Sequence, residues 1–209
     1  MSQNLQLSHT AHKLLVTGKS GHGKSTYWLR SLLGTKARVK FIFDHKGEVC
    51  ARLGCKPCFG PRDLAAAVPT GWVIYQPAKM FPGRPDKGFL FFCELAYDLS
   101  QAIPGTKLFA CDELQQWIDT NSIPIEFGQV IYDGRIRGLD ASLISSEPHA
   151  IHNRVRGQIT EVAAFRTEEE NALAWLNKRG FDVERVKLLP PGHFICRNDQ
   201  GLESCGAVF

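Results

Sequence analysis

Leu14-Leu15-Val16-Thr17-Gly18-Lys19-Ser20-Gly21-His22-Gly23-Lys24-Ser25-Thr26 decides how this chain is read. An apolar run comes first, then a glycine-rich turn matching G-x-x-x-x-G-K-S, then a helical pattern over Thr26 to Leu33 stopping at Gly34. Strand, phosphate-binding loop and helix in that order meet the structural context the motif demands. Glycines let successive backbone N–H groups turn toward one anion. The helix behind them points its positive end at the same place. Gly18 to Thr26 therefore form the candidate nucleotide cradle. Lys24 is placed on the β- and γ-phosphates and the Ser25 hydroxyl on Mg²⁺.

A loop of this kind needs a second magnesium contact and a group that activates water. Leu108-Phe109-Ala110-Cys111-Asp112-Glu113 supplies both. The apolar strand carries the acids to the carboxyl edge of a sheet, where ligands bind in open α/β folds. Asp112 is assigned to Mg²⁺ through a water, and Glu113 to polarising the attacking water. The cofactors expected are ATP and Mg²⁺.

Outward from these motifs, strand-like and helix-like runs alternate, predicting an α/β fold with a mostly parallel sheet flanked by helices. Further strands are predicted at Val39 to Phe43, Trp72 to Tyr75, Leu139 to Ile144 and Val162 to Phe165. Helices are predicted at Asp63 to Val68, Asp86 to Gln101 and Ile125 to Arg135. A further helix opens on a capping box at Thr167 to Glu170 and ends at Gly180. Gly47 to Pro61 and Pro77 to Pro85 read as loops. His193 to Cys196 and Ser204 to Phe209 read as a closing hairpin. Residues 1–209 are taken as one P-loop domain, with a core over about 12–180 and a C-terminal hairpin extension over about 181–209.

Composition agrees with a folded protein: 44% apolar and 22% charged residues in a 209-residue chain. No run of about 18 apolar residues is present, which excludes a transmembrane helix. The polar start (Ser2, Gln3, Asn4, Gln6) lacks the layout of a signal peptide. Seven cysteines, an odd count, suit a reducing compartment. A net charge of +4 permits contact with nucleic acid without demanding it. Cys50, Cys55 and Cys58, with His45, contain one C-x-x-C. Zinc would need all four as ligands, and the second C-x-x-C of a zinc ribbon is missing.

The order of motifs resembles the FtsK–HerA superfamily of P-loop motors. Within it, the chain is most similar to the small genome-packaging ATPases of tailless, membrane-containing double-stranded DNA viruses, the tectivirus-like and poxvirus-like group. Three stretches carry the resemblance besides the two above: Phe41-Ile42-Phe43-Asp44-His45-Lys46-Gly47-Glu48, Tyr132 to Asp140, and Ile144-Ser145-Ser146-Glu147-Pro148 followed by Ile151 to Arg156. Ser146 takes the place where the family often has a γ-phosphate-sensing Gln.

The resemblance implies a ring of identical subunits, a pentamer or hexamer, that hydrolyses ATP to translocate double-stranded DNA. It implies capsid vertex or portal partners, with action in the host-cell cytoplasm during assembly or at the packaging vertex of the virion. A neighbour's arginine finger is implied, with Arg135, Arg137, Arg154 and Arg156 as candidates by motif position. The basic loop Lys79 to Lys87, with Arg84 and a wedging Phe81, is one candidate for DNA contact. Two alternatives stand beside this reading. One is a Zot-like ATPase of filamentous-phage extrusion, whose acid motif also resembles Asp112 to Trp117. The other is a switch protein that binds nucleotide without needing Glu113 as a base.

Overall fold

The computed structural model describes residues 11–209; the polar start read above lies outside them. Five strands are buried along nearly their whole length, as parallel strands covered on both faces are. They are β1 (Lys13–Thr17), β2 (Val39–Phe43), β4 (Lys107–Cys111), β5 (Leu139–Ser145) and β6 (Glu161–Phe165), joined by the shorter β3 (Trp72–Tyr75). Lys40 is the polar exception in β2; it is buried with its ammonium 4.3 Å from the centre of the Trp72 ring. The antiparallel pair β7 (His193–Asn198) and β8 (Glu203–Ala207) completes one eight-stranded sheet, ordered β3-β2-β4-β5-β1-β6-β7-β8. The first six of these run parallel. The expected closing hairpin is thus two further strands of the central sheet, β7 pairing with β6.

Alternate residues of each strand feed two cores. Leu15, Phe41, Phe43 and Phe109 face the helix α4 (Pro85–Ala102), which contributes Phe89, Phe92, Cys93 and Ala96. Leu14, Val16, Ile42 and Ala110 face the helix α1 (Lys24–Gly34), through Trp28, Leu29 and Leu32. The mostly parallel, helix-flanked sheet matches the fold read from the sequence.

Local structure departs from expectation in five places. Gly47 to Pro61 is not all loop, because α2 (Glu48–Leu53) forms there. The buried Asp44 carboxylate accepts the N–H groups of Val49 and Cys50 at 3.1 and 3.0 Å, capping it from upstream. The next helix, α3 (Pro61–Ala67), starts at proline, and Asp63 bonds back to the Phe59 N–H rather than capping it. The segment expected as one helix over Ile125 to Arg135 changes winding twice. A single α-turn, α5 (Ile125–Gly128), passes into a π-turn (Gln129–Asp133) and then a 3₁₀ turn (Gly134–Arg137). After the short α6 (Asn153–Arg156) comes α7 (Glu170–Lys178), capped by Glu169 and not by a Thr167–Glu170 box. The Glu169 carboxylate accepts from the Asn171 and Ala172 N–H groups, and Thr167 Oγ1 accepts the Glu169 N–H. A further helix, α8 (Val183–Lys187), forms in the segment read only as an extension, with Asp182 as its cap.

Candidate functional site

Strand β1 ends at Thr17, and the chain turns through three glycines in the left-handed region: Gly18, Gly21 and Gly23, with φ of 133°, 78° and 100°. Gly18 also has no room for a side chain, since a Cβ there would lie 2.7 Å from the Phe165 carbonyl oxygen. Gly18→Ala is expected to cost about 1–3 kcal/mol from backbone strain alone. It should lower the melting temperature by about 2–4 °C per kcal/mol. Gly34→Ala, where nothing lies within 4 Å of the new Cβ, is the control. Equal melting temperatures for the two variants would refute this account.

The loop is pinned at both ends. The Lys19 N–H donates to the Arg166 carbonyl at 2.7 Å, and the His22 carbonyl accepts the Gly192 N–H at 3.0 Å. No side chain caps α1, and no acidic residue occupies its first turn. Its first N–H groups therefore keep their positive potential for an anion.

Because β1, β2, β4 and β5 run parallel, their carboxyl ends share one edge of the sheet. A cleft of about 510 Å³ opens there. It is lined by Ser20, Gly21, Gly23, Lys24, Ser25 and Thr26 from the loop, by Asp112 and Glu113 after β4, and by Ser146 after β5. Burial pushes the Lys24 ammonium pKa down, against the pull of Asp112 and Glu113. Its Nζ donates to the Lys19 carbonyl at 3.0 Å. Burial pushes the Asp112 carboxyl pKa up, a penalty that a cation beside it would relieve. Ser25 and Asp112 give the cleft a hydroxyl and a carboxylate, hard oxygen donors of the kind magnesium takes.

Glu113 is the sole non-glycine residue with positive φ among the described residues, at φ 50° and ψ 49°. Its N–H donates to Asp112 Oδ1 at 2.7 Å, and the Trp117 indole N–H donates to the Asp112 carbonyl at 3.2 Å. Lys46 Nζ lies 2.5 Å from Glu113 Oε2, and Gln116 donates to the same oxygen. Glu113 and neighbouring groups in turn hold the Lys46 pKa up. Both bonds fall on Oε2, leaving Oε1 for another partner.

In the segment Asp44 to Glu48, the sequence pointed only to His45, as a candidate zinc ligand. Asp44 caps α2, Lys46 pairs with Glu113, and Gly47 (φ 77°) makes the turn. Glu48 and Arg52 then face the cleft from α2. Phe209 lines it too, beside Gly192. Gln115, also unassigned, donates its amide to Ser146 Oγ at 3.0 Å. A glutamine side chain thus stands beside Ser146 at the cleft.

Other candidates fall elsewhere. Arg135 and Arg137 precede β5 and so lie at the opposite edge of the sheet. Arg135 is exposed. Arg137 is held within its own chain, donating to the Tyr97 carbonyl at 2.7 Å and stacking on the Tyr97 ring. Arg154 is exposed on α6, and Arg156 is partly covered on the same turn. In the basic loop, Lys79 sits over the Phe59 ring, Arg84 pairs with Asp86, and Phe81 packs on Phe91. His45 packs edge-on against Trp117, while Cys50 and Cys55 meet at 3.5 Å. Among the described residues no group of three His, Cys, Asp or Glu could hold a metal, and no helix is long and apolar enough to cross a membrane.

No protein-family model and no curated protein sequence matches the chain. Solved structures do. The genome-packaging NTPase B204 of Sulfolobus turreted icosahedral virus 2, in complex with ATPγS, is 19% identical and superposes with a TM-score of 0.74 over 95% of this chain and 98% of that one. B204 of Sulfolobus turreted icosahedral virus, described as its DNA-packaging ATPase, gives 18%, 0.66, 93% and 96%. EssC (ATPases 2 and 3) of Geobacillus thermodenitrificans gives 15% and 0.56 over 94% of this chain and 40% of that one. At these identities the likeness speaks for architecture, and the chain has the α/β fold of the viral genome-packaging NTPase B204.

Proposed function

We propose that this protein is an ATP hydrolase whose turnover drives double-stranded DNA through a ring of identical subunits, as a viral genome-packaging motor. The observation that carries the reading is the convergence of Lys24, Ser25, Asp112, Glu113 and Ser146, from three strand ends, on one cleft. Lys24 and the N–H groups of the loop hold the β- and γ-phosphates. Ser25 and Asp112 would hold Mg²⁺, which would supply positive charge at the phosphate oxygens. Glu113 Oε1 takes the proton of the water that attacks the γ-phosphorus as the bond to the bridging oxygen breaks. Ser146, backed by the Gln115 amide, senses the γ-phosphate. Likeness to B204, solved with ATPγS and described as packaging a genome, favours this reading over a nucleotide switch.

An arginine supplied by a neighbour can be worth about 10³–10⁵ in rate in P-loop enzymes. Steady-state ATP turnover per chain is therefore expected to rise with protein concentration and to rise again with long double-stranded DNA. A slow rate indifferent to both would remove the ring motor and leave a P-loop protein acting on another partner.

A further inference from the structure

A second cleft, of about 600 Å³, shares no lining residue with the first. Its walls are α6 and α7, and no Asp or Glu lines it. Arg156, Lys178 and Arg179 all open onto it, with Asn153 and Asn171 as neutral donors. None of the three cations forms an ion pair among the described residues, whereas Arg84, Arg166, Arg185 and Lys187 each face a carboxylate. Arg179 is anchored by neutral carbonyls instead, its Nη2 donating to Ile159 O at 2.7 Å and Nη1 to Arg156 O at 3.5 Å. The guanidinium is thereby fixed in place without an ion pair, Asp199 acting on its charge only from beyond ion-pair distance.

Arg156 donates through one terminal nitrogen to Asn153 Oδ1, but its Nε is buried without any acceptor. A buried guanidinium N–H without a partner is costly, and an incoming oxygen would relieve it. Glu169, at the start of α7, stands 3.1 Å from His149 and is committed to the N–H groups that open the helix. Burial lowers the pKa of both arginines, unopposed at Arg156 and partly offset by Asp199 at Arg179. The basic loop at residues 79–87 presents the reverse case, since Lys79 and Arg84 already have partners.

We propose that the α6–α7 cleft binds a phosphate group, and that this group is a backbone phosphate of double-stranded DNA. Guanidinium groups held by carbonyls and a lysine at a helix end are donors without acceptors, so they recognise phosphate oxygens. They read no base edges, so the contact is independent of sequence. The DNA source rests on the function proposed above; the phosphate chemistry does not.

The test uses Lys178→Gln and Asn171→Asp in the full chain, singly and together. Both positions are on α7 at the cleft, outside the nucleotide site. Binding of a labelled 40-base-pair duplex is measured by anisotropy across a salt series. Removing one phosphate contact is expected to reduce the slope of log affinity against log salt by about 0.9. The loss should be equal for unrelated sequences, with DNA-free ATP turnover unchanged. Lys79→Gln should leave the slope as it was.

Inorganic phosphate, titrated calorimetrically into native chain and double variant, separates the sources. Unchanged DNA binding with one phosphate site lost in the variant, the site at the glycine-rich loop being retained, keeps the cleft site and makes free phosphate its ligand. A native chain that binds no DNA would defeat the motor reading, and the phosphate titration would then decide the cleft alone. Native and variant chains that match in both titrations overturn the proposal.

Discussion

Glu113→Gln is expected to bind ATP as tightly as the native chain and to turn it over about 10²–10⁴-fold more slowly. The substitution keeps size and shape, so the left-handed turn at Glu113 and the N–H bond to Asp112 Oδ1 survive. A side-chain amide accepts a hydrogen bond but does not take a proton near neutral pH, which removes the proposed acceptor for the water's proton. Lys46 loses its charged partner and its pKa falls toward the ordinary lysine value, since Glu113 exerts the largest upward pull, ahead of Glu48 and Asp112. Single-turnover hydrolysis together with equilibrium binding of an ATP analogue separates the two effects. Hydrolysis at the native rate would show that Glu113 is not the base and would restore the nucleotide-switch reading.

Phe92→Ala is expected to cost about 3–5 kcal/mol of stability. Phe92 is fully buried, and its ring meets those of Phe41, Phe43, Tyr75 and Phe109 at centroid distances of 5.2–6.4 Å. Against a usual total of about 5–15 kcal/mol, the loss is a large fraction. Thermal unfolding should shift down by on the order of 6–20 °C. The same rings lie against β2 and β4, whose ends carry Asp44 to the cap of α2 and Asp112 to the cleft. ATP turnover of the variant should therefore fail at a lower temperature than that of the native chain. A loss below about 1 kcal/mol would mean that this aromatic layer is loosely packed.

The motifs were legible because their chemistry is local. Strand, glycine turn and helix around Gly18 to Thr26 are contiguous, and Asp112-Glu113 directly follows its own strand. What escaped was whatever depends on distant partners. Helix α2 was hidden because its cap, Asp44, belongs to the preceding strand's end and reaches forward over a turn. An upstream acid followed by Glu48-Val49-Cys50 and stopped by Gly54 was the available signal. The pairing of Lys46 with Glu113 and the Gln115–Ser146 bond join segments that only the sheet brings together. The winding changes over Ile125 to Arg137 leave the apolar spacing almost intact, so periodicity alone did not separate them from one helix. At residues 167–170 the hydroxyl-to-acid spacing fitted a capping box, but Glu169 reaches the free N–H groups itself.

The anchoring of the phosphate loop has a consequence in time. Its His22 carbonyl bonds to Gly192, and Gly23 packs against Val208, both about 170 residues or more downstream. Translation at about 5–20 residues per second puts that delay at roughly 10–40 s. A nascent chain thus carries the whole G-x-x-x-x-G-K-S sequence long before the residues that shape it exist. Nucleotide competence then arrives late, as a single event, when β7 and β8 dock on the sheet. Until then the emerging chain has no formed site through which cellular ATP could engage it.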